Sequence, residues 1–390
     1  MQYTLTGGIK YRKKRYKEQP CPDFVPNEVS IFLKDATPIT NVGELVKKGA
    51  PIAKNDEGFT IYASITGEVT SLDDGFITIA VKEKETETDE ITLLPEYTGE
   101  LNAESRADLA RYLLAAGHPD SAEMDIRRDF GNTKRVILNC ISSPDPKDAE
   151  RIIDGAKIIL LSIGIRSAVV AISKKDTKFA RAIEKCKYDR NMFLIAMLPV
   201  SHPLESPVAL RSALIPSAND DNCFVLSTSS CIAAYEAAAE RKPFIGHNIR
   251  VIYKSSSYHI FCPFGTMVKD IKEYFAPILQ RDAEALSICT GISGIGISLS
   301  DSTVIGDDIT ALTITKKTIS CSEKPPVCIA CGKCSKVCPR KLSPYLLYKK
   351  STESSISDCI SCACCSAACP VGIPLAETIT KLRWEAYNEN

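Results

Sequence analysis

The chain has 390 residues, a mass of 42.6 kDa, a formal net charge of zero at pH 7 and a hydrophobic fraction of 44%. This length exceeds one compact core and predicts roughly two to four domains, and the composition excludes a globally disordered protein. The balanced charge gives no bulk attraction to nucleic acid or to an anionic membrane, so we expect no nucleic-acid partner.

Membrane insertion and export are both disfavoured by the sequence. No apolar run reaches the ~18 residues that a membrane span requires, and the opening residues lack the apolar stretch and cleavage site of a secretory signal. We therefore expect a cytoplasmic protein with no membrane span.

A basic cluster near the N-terminus is the local exception to the balanced charge. It could dock an acidic protein such as a ferredoxin, although a solvated loop is the simpler interpretation of a charge run. Its members are Lys10, Arg12, Lys13, Lys14, Arg15 and Lys17.

Short β-strands separated by glycine turns are predicted over residues 1–100. The segments from Val42 to Gly49 and from Ser64 to Val69 combine turn glycines with alternating β-branched residues, which is typical of a small β-sandwich. The pattern is similar to the barrel-sandwich domains that carry lipoyl or biotinyl groups. Because the turn at Ser64 to Gly67 has no modifiable lysine, we predict a structural module and not a swinging arm.

Strands and helices then alternate over residues 101–245, which indicates a parallel sheet with crossover helices, a Rossmann-like architecture. No Gly-x-Gly-x-x-Gly follows these strands and no lysine-bearing phosphate loop occurs, so the fold alone does not predict nucleotide binding. The predicted strands are Val136 to Asn139, Ala168 to Ile172 and Met192 to Met197, and the predicted helices are Glu104 to Ala116, Asp148 to Leu161 and Thr177 to Cys186.

A small β-grasp domain is predicted over residues 246–320. Strands at Ile249 to Tyr253 and Tyr258 to Cys262 are followed by a helix-like segment from Val268 to Phe275. The residues from Ser320 to Pro326 include lysine, glutamate and paired prolines, which is typical of a boundary. They lead into a last domain over residues 321–390.

Cysteine usage points to metal or redox chemistry. The chain has 17 cysteines, and the reducing cytosol disfavours disulfides. Eight of them form two copies of Cys-x-x-Cys-x-x-Cys-x-x-x-Cys-Pro, the bacterial ferredoxin run, whose fourth cysteine ligates the other cluster. The predicted cluster 1 site is Cys328, Cys331, Cys334 and Cys369, and the predicted cluster 2 site is Cys359, Cys362, Cys365 and Cys338. Each site is expected to hold one 4Fe-4S cluster.

Zinc is the alternative for these motifs, but zinc sites usually take two pairs of ligands per ion. Cys364 breaks the stepping of the ligands and is expected to be a bystander. Among the other cysteines, Cys140, Cys262 and Cys289 are predicted to lie at turns, where two of them could form a redox-active pair. The histidines, namely His118, His202, His247 and His259, show no metal spacing, so we expect a structural role for each.

Read in order, these modules resemble the RnfC-like electron-transport family, including its relatives in cobalamin reduction and in anaerobic proline reduction. The resemblance covers nearly the whole chain. It depends on the two cysteine motifs, the Val42 to Gly49 and Ser64 to Val69 turns, Gly7-Gly8-Ile9, and Cys262-Pro263-Phe264-Gly265-Thr266, in a β-grasp module similar to the soluble-ligand-binding (SLBB) domain.

The departures from the family concern its flavin pocket. The family carries a glycine-rich loop for FMN and NADH after a helix that ends in Ala-Gly, whereas here Ala116-Gly117 is followed by a segment, His118 to Glu123, with no glycine run. The family's Asn-Gly-Ala-Glu-Cys-Glu stretch is replaced by Asn139 to Pro144. Carboxylates at Asp120 and Glu123 would oppose a phosphate, so we expect FMN and NADH to be absent.

The resemblance implies an iron–sulfur protein that relays electrons between a protein donor and a partner reductase in anaerobic metabolism. Ferredoxin-like proteins or reductase subunits are the expected partners, and the chain would be a subunit of a larger complex. Two alternatives remain open: an NADH-dependent FMN and iron–sulfur oxidoreductase, and a docking scaffold whose clusters are structural. The sequence names neither the partners nor the cluster potentials.

Overall fold

The computed structural model shows a mixed α and β protein with several sheets. The structure describes residues 7–10, 16–73, 75–81, 91–101, 105–118, 135–142, 144–186, 191–199, 201–215, 223–291, 295–306, 309–316, 326–349 and 356–388. Within these residues, no helix has both the length and the apolar character needed to cross a membrane.

The N-terminal strands belong to sheets formed by later parts of the chain. Strand β1 (Ile9–Lys10) pairs antiparallel with residues 201–202, and β2 (Lys17–Glu18) pairs with residues 256–257. The buried Phe24 joins the core of the sheet that contains β2. Residues 9–10 and 16–24 therefore contact distant parts of the chain, although the sequence-based division counts them with the first β domain.

Two antiparallel sheets over residues 28–80 share one apolar core. Their orders are β3-β9-β8-β5 and β4-β6-β7. Successive side chains of a strand point to opposite faces of its sheet. Val29 and Ile31 of β3 therefore face inward together, as do Ile77 and Ile79 of β9. The strands are β3 (Glu28–Phe32), β4 (Thr37–Pro38), β5 (Leu45–Val46), β6 (Pro51–Lys54), β7 (Thr60–Tyr62), β8 (Gly67–Asp73) and β9 (Phe76–Ala80).

The α/β region contains a parallel sheet of order β12-β11-β10-β14. The chain runs from β10 to β11 and β12 on one side of β10 and then returns to β14 on its other side. The strand order therefore reverses between β10 and β14, and their carboxyl ends form a topological switch point. The elements are α1 (Arg106–Ala115), β10 (Arg135–Cys140), α2 (Ala149–Ile163), β11 (Ala168–Ser173), α3 (Thr177–Lys185), β12 (Phe193–Leu198), β13 (Ser201–His202), α4 (Pro207–Leu214), β14 (Cys223–Ser227) and α5 (Thr228–Glu240), with a 3-10 turn at Pro146–Asp148.

Helix α2 packs directly against α5, and Gly155 allows this close approach. A Cβ atom at Gly155 would lie 1.7 Å from the carbonyl oxygen of Cys231. The buried face of α2 includes Ile152 and Ile159, which lie in the same core as Leu138 of β10. The expected strands and helices of this region match the observed ones to within a few residues at each end.

The third region is a mixed sheet of order β18-β17-β19-β15-β16-β2 with one helix packed on it. Phe275 of this helix is fully buried in the core that it shares with Ile249 and Leu312. The elements are β15 (Gly246–Tyr253), β16 (Ser256–Pro263), α6 (Val268–Leu279), β17 (Leu286–Thr290), β18 (Ser298–Leu299) and β19 (Ala311–Lys316), with a 3-10 turn at Ala283–Ala285.

The last region is helical and contains both cysteine motifs. Its short helices pack around Leu347, Ile373 and Ile379, which are buried together. The elements are α7 (Lys333–Val337), α8 (Pro344–Tyr348), α9 (Cys364–Ala368) and α10 (Leu375–Asn388), with a 3-10 turn at Ile356–Asp358.

Candidate functional site

The two cysteine motifs adopt the same local backbone. In the first, Ala330 and Gly332 have φ of 55° and 67°, and in the second, Ser361 and Ala363 have φ of 51° and 59°. These left-handed residues alternate with the cysteines before α7 and α9 begin, and side chains larger than glycine adopt this conformation at a cost. Both motifs therefore share one specific backbone shape.

The structure brings the four residues of the predicted cluster 2 site together. Cys338, Cys359, Cys362 and Cys365 line one cavity, although Cys338 comes from the first motif and the others from the second. Leu342 and Leu347 complete an apolar wall. Cys338 of the first motif thus lies beside the cysteines of the second motif, and its role as a ligand there stays a prediction.

Burial and mutual repulsion oppose ionisation of these thiols. Burial raises the pKa of Cys338, Cys359 and Cys365, and the neighbouring Cys362 raises each pKa further. Such a group of buried thiols can be deprotonated together only beside compensating positive charge. The irons of a cluster supply that charge, so the donor set fits a 4Fe-4S cluster.

The residues of the predicted cluster 1 site lie nearer the protein surface. Cys328, Cys334 and Cys369 are partly buried against the apolar core of the helical region, whereas Cys331 is exposed. The backbone amide of Ala330 donates a hydrogen bond of 3.3 Å to the sulfur of Cys328.

Backbone amides also approach the fourth cysteine of each motif in the same way. The amide of Leu342 lies 3.4 Å from the sulfur of Cys338, and the amide of Ile373 lies 3.4 Å from the sulfur of Cys369. Hydrogen bonds of this type stabilise the electron-rich sulfur of a cluster ligand. The fourth cysteine of each motif therefore accepts the same kind of backbone hydrogen bond.

No group of three or more His, Cys, Asp or Glu side chains in the described residues converges closely enough to hold one metal ion. Thiolates around a cubane each bind a different iron atom, so they stand farther apart than the ligands of a single ion. Cys338 and the three cysteines of the second motif line one shared cavity.

Cys364 and Cys362 are neighbouring thiols that share a hydrogen bond. A hydrogen bond from Cys364 lowers the pKa of Cys362, and the same bond together with burial raises the pKa of Cys364. Cys364 is fully buried, and its sulfur lies 3.8 Å from the carbonyl oxygen of His202. Cys364 lines the same cavity as Cys362, so the expectation that Cys364 is a bystander stays a prediction.

A buried histidine joins the second motif to the α/β region. The Nε2 atom of His202 lies 2.5 Å from the carbonyl oxygen of Cys362, and its Nδ1 atom lies 2.6 Å from Oε1 of Glu205. Burial alone would lower the pKa of His202, but the hydrogen bonds to Glu205 and to Cys362 outweigh it and raise that pKa. The backbone of Glu205 is held in turn by the side-chain amide of Asn139 at 2.8 Å.

The N-terminal glycines contact the other side of the same site. The amide of Gly8 donates a hydrogen bond of 2.8 Å to the carbonyl of Val337, and a Cβ atom at Gly7 would lie 2.7 Å from the carbonyl oxygen of Cys338. Strand β1 follows immediately and pairs Ile9 with His202 of β13. Gly7-Gly8-Ile9, one basis of the family resemblance, therefore connects the cluster 2 site to the α/β region.

Three other cysteines do not lie where the sequence suggested. Cys140, Cys262 and Cys289 were expected at turns, but they lie within β10, β16 and β17, at or next to the last residue of each strand. All three are buried, and burial raises the pKa of Cys262 to about 12 and that of Cys289 to about 11. Buried, protonated thiols in separate strands do not form the redox-active pair that was hypothesised.

A second cavity lies at the switch point between β10 and β14. Its wall includes three carboxylates, Asp145, Asp148 and Glu236, and one guanidinium, that of Arg250. Burial raises the pKa of Asp148 and of Glu236, although Arg151 forms ion pairs with both. The segment expected to replace the family's glycine-rich loop, His118 to Glu123, lies outside the described residues except for His118, as do residues 11–15 of the basic cluster.

The cysteine motifs made the cluster sites predictable, but His202 and Glu205 were not predicted to contact them. Only the tertiary structure brings His202 to Cys362, because the two are 160 residues apart in the chain. No local signal identifies such a contact. Two other histidines have partners elsewhere: Nε2 of His118 lies 2.8 Å from the carbonyl oxygen of Ser230, and Nε2 of His247 lies 2.9 Å from that of Ile309.

One protein similar to this chain is a component of an oxidoreductase complex. No protein-family model matches the chain. It is 24% identical over 365 residues to one component of the proton-translocating ferredoxin:NAD(+) oxidoreductase complex of Clostridium ljungdahlii, its C subunit. The alignment covers 84% of this chain and 78% of the relative.

Two solved structures of an NAD+-reducing NiFe hydrogenase, in the air-oxidized and H2-reduced states, also match. They are each 12% identical to the chain, with TM-scores of 0.42 and 0.43, and the matches cover 71% and 69% of this chain. The chain spans 61% and 59% of the two hydrogenase chains.

Substitution of neighbouring cysteines should separate ligand from bystander. We expect Cys365→Ala to lose about four of about eight irons per chain, and Cys364→Ala to keep them all. Iron and acid-labile sulfide are measured on anaerobically purified protein, and the remaining visible absorbance of the variant reports whether cluster 1 and the fold survive. Equal iron loss in both variants, or none in either, would contradict the assignment.

Substitution of His202 should loosen the second motif. His202→Ala leaves the Glu205 carboxylate partly buried without this partner, so the free energy of unfolding is expected to fall by about 1–3 kcal/mol. Iron release to a chelator should become faster, and His202→Gln should restore part of the wild-type rate. His259→Ala, at a partly buried histidine in β16, is the control for general destabilisation. If the two alanine variants release iron at the same rate, His202 has no special role at the site.

Proposed function

Because the chain is RnfC-like over most of its length, we propose that it is an electron-transfer protein that relays electrons through two 4Fe-4S clusters. The donor and the acceptor are proteins, one of them a partner reductase. The observation that carries this proposal is the convergence of Cys338, Cys359, Cys362 and Cys365 from two separate motifs around one cavity.

In this proposal the cluster ligands are the eight motif cysteines. A bound cluster supplies reversible electron transfer, and the protein supplies thiolates, amide hydrogen bonds and an apolar surround. The amides of Ala330, Leu342 and Ile373 stabilise the sulfur atoms of three ligands. Cys328, Cys331, Cys334 and Cys369 hold cluster 1, and Cys359, Cys362, Cys365 and Cys338 hold cluster 2.

Protein partners are favoured over a nucleotide as the immediate electron donor. The cavity at the switch point, where an α/β sheet binds such ligands, is lined by Asp145, Asp148 and Glu236 as well as by Arg250. Carboxylates next to the position of a flavin phosphate would repel it. The relative is part of a multi-subunit complex, so we further propose that this chain also works within a larger assembly.

Cofactor content and reduction by defined donors test the proposal. Protein purified under anaerobic conditions is expected to contain about eight irons and eight acid-labile sulfides per chain. We expect no flavin, reversible bleaching of the visible absorbance by dithionite, and no bleaching by NADH.

The same measurements identify the alternatives. Stoichiometric flavin together with bleaching by NADH would make the protein an NADH-dependent FMN and iron–sulfur oxidoreductase. Clusters that dithionite cannot reduce would point to a docking scaffold with structural clusters. One zinc ion per motif would contradict every electron-transfer interpretation.

A further inference from the structure

The two cluster sites differ in how much of them is exposed. In the first motif, Ile329 to Lys333 are all exposed, with Ile329 at 61% of its surface, whereas in the second motif Ile360 to Cys365 are all partly or fully buried. The second motif also contacts the α/β region through His202. Cluster 1 is therefore the site that another protein can approach.

Large apolar side chains flank the exposed motif. Val327 is 81% exposed and Ile329 is 61% exposed, on either side of Cys328. Side chains of this kind are usually buried, and exposed apolar groups next to a functional group commonly mark a site of protein contact. A small contact is enough here, because transient complexes of electron carriers bury less than about 1,200 Å².

Over residues 326–349 the sequence carries charges of one sign, although Arg340 forms an ion pair with Asp358 at 3.5 Å. Residues 326–349 contain no Asp or Glu, and they contain Lys333, Lys336, Arg340, Lys341 and Lys349. Residues 356–388 contain both signs, with Asp358, Glu377 and Glu385 against Lys381 and Arg383. Within the described residues, no carboxylate forms an ion pair with Lys333 or Lys336, and both lysines are exposed.

We propose that residues 326–336 form a docking surface for a small acidic electron-carrier protein, which exchanges electrons with cluster 1. Val327 and Ile329 supply the apolar centre, and Lys333 and Lys336 supply charge complementary to an acidic partner. One electron passes from the reduced carrier to oxidised cluster 1, or in the reverse direction, with no bond made or broken. This inference rests on the proposed function and names its partner class.

Complementary charge acts mainly on the rate of association, and salt screens it. A docking surface of this kind predicts fast electron transfer at low ionic strength that slows as salt is added. The apolar centre predicts a second contribution that salt does not remove. The two contributions can therefore be separated by substituting the lysines and the apolar residues independently.

Stopped-flow reduction of the full-length protein tests the surface. The donor is a dithionite-reduced two-cluster bacterial ferredoxin, which is acidic. The charge control runs in the opposite direction: protein reduced with dithionite and freed of excess reductant is oxidised by ferricytochrome c, a basic protein of similar size. With the ferredoxin, we expect Lys333→Glu combined with Lys336→Glu to slow reduction at low salt by at least about tenfold and to remove most of the salt dependence. Lys178→Glu combined with Lys185→Glu, on the exposed face of α3, is the matched control and should behave as wild type.

The apolar centre has its own test. Val327→Ser combined with Ile329→Ser should slow reduction by the ferredoxin at high salt as well as at low salt. Iron and sulfide content of each variant shows that the clusters are retained, and direct reduction by dithionite shows that they still accept electrons. This direct reduction separates failure of the docking surface from failure of the proposed function.

Three results would overturn the proposal. The first is a Lys333 and Lys336 variant that dithionite reduces and that the ferredoxin reduces at the wild-type rate and salt dependence. The second is a wild-type protein that dithionite reduces but the ferredoxin does not. The third concerns the Val327 and Ile329 variant: light scattering shows a monomer where the wild type is a dimer, and the ferredoxin kinetics are unchanged. That result would make the surface an interface between two copies of the chain.

Discussion

Mutual repulsion between buried thiolates is the constraint on which the cysteine-rich region depends. Cys338, Cys359, Cys362 and Cys365 surround one cavity with an apolar wall, and burial opposes their ionisation. Four negative charges in such a place are stable only around positive charge. A bound cluster would supply that charge, so folding of this region and cluster binding are expected to be coupled, as they are in other metal-dependent domains.

The rest of the chain holds the inner site in place from two directions. His202, which Glu205 holds by a hydrogen bond, contacts the backbone carbonyl of Cys362, and Gly7 and Gly8 contact the backbone carbonyls of Cys338 and Val337. These contacts use backbone carbonyls, so they position the ligand loops without competing for the sulfur atoms. The outer site has exposed lysines and apolar residues in place of such contacts. In the proposed relay, this asymmetry gives the electrons an outer and an inner end.

The sequence predicted those features that depend on local spacing. Ligands two or three residues apart require one backbone shape, and the positive φ angles at Gly332 and Ala363 show that shape twice. The alternating strands and helices of the parallel sheet were predictable for the same reason. The turns expected at Cys140 and Cys262 were wrong. Each cysteine lies at the end of a strand, next to turn residues in the sequence, but it is still part of the sheet's ladder of backbone hydrogen bonds.

Long-range contacts were not predictable. His202 lies 160 residues from Cys362, and the two-residue strand β1 pairs with β13 across nearly half of the chain. Such short strands have no periodicity to detect, and a single histidine carries no signal for its partner. The docking surface at residues 326–336 could not be predicted from the sequence either. The two motifs have the same cysteine spacing, but the first is exposed and the second is largely buried.

The most direct test of the account is the position of iron in a crystal of anaerobically purified protein, located by anomalous scattering at the iron absorption edge. The account predicts two compact iron sites, one enclosed by Cys338 and the second motif and one at Cys328, Cys331, Cys334 and Cys369. A single iron site, isolated metal ions held within each motif, or a cluster bound without Cys338 would contradict it.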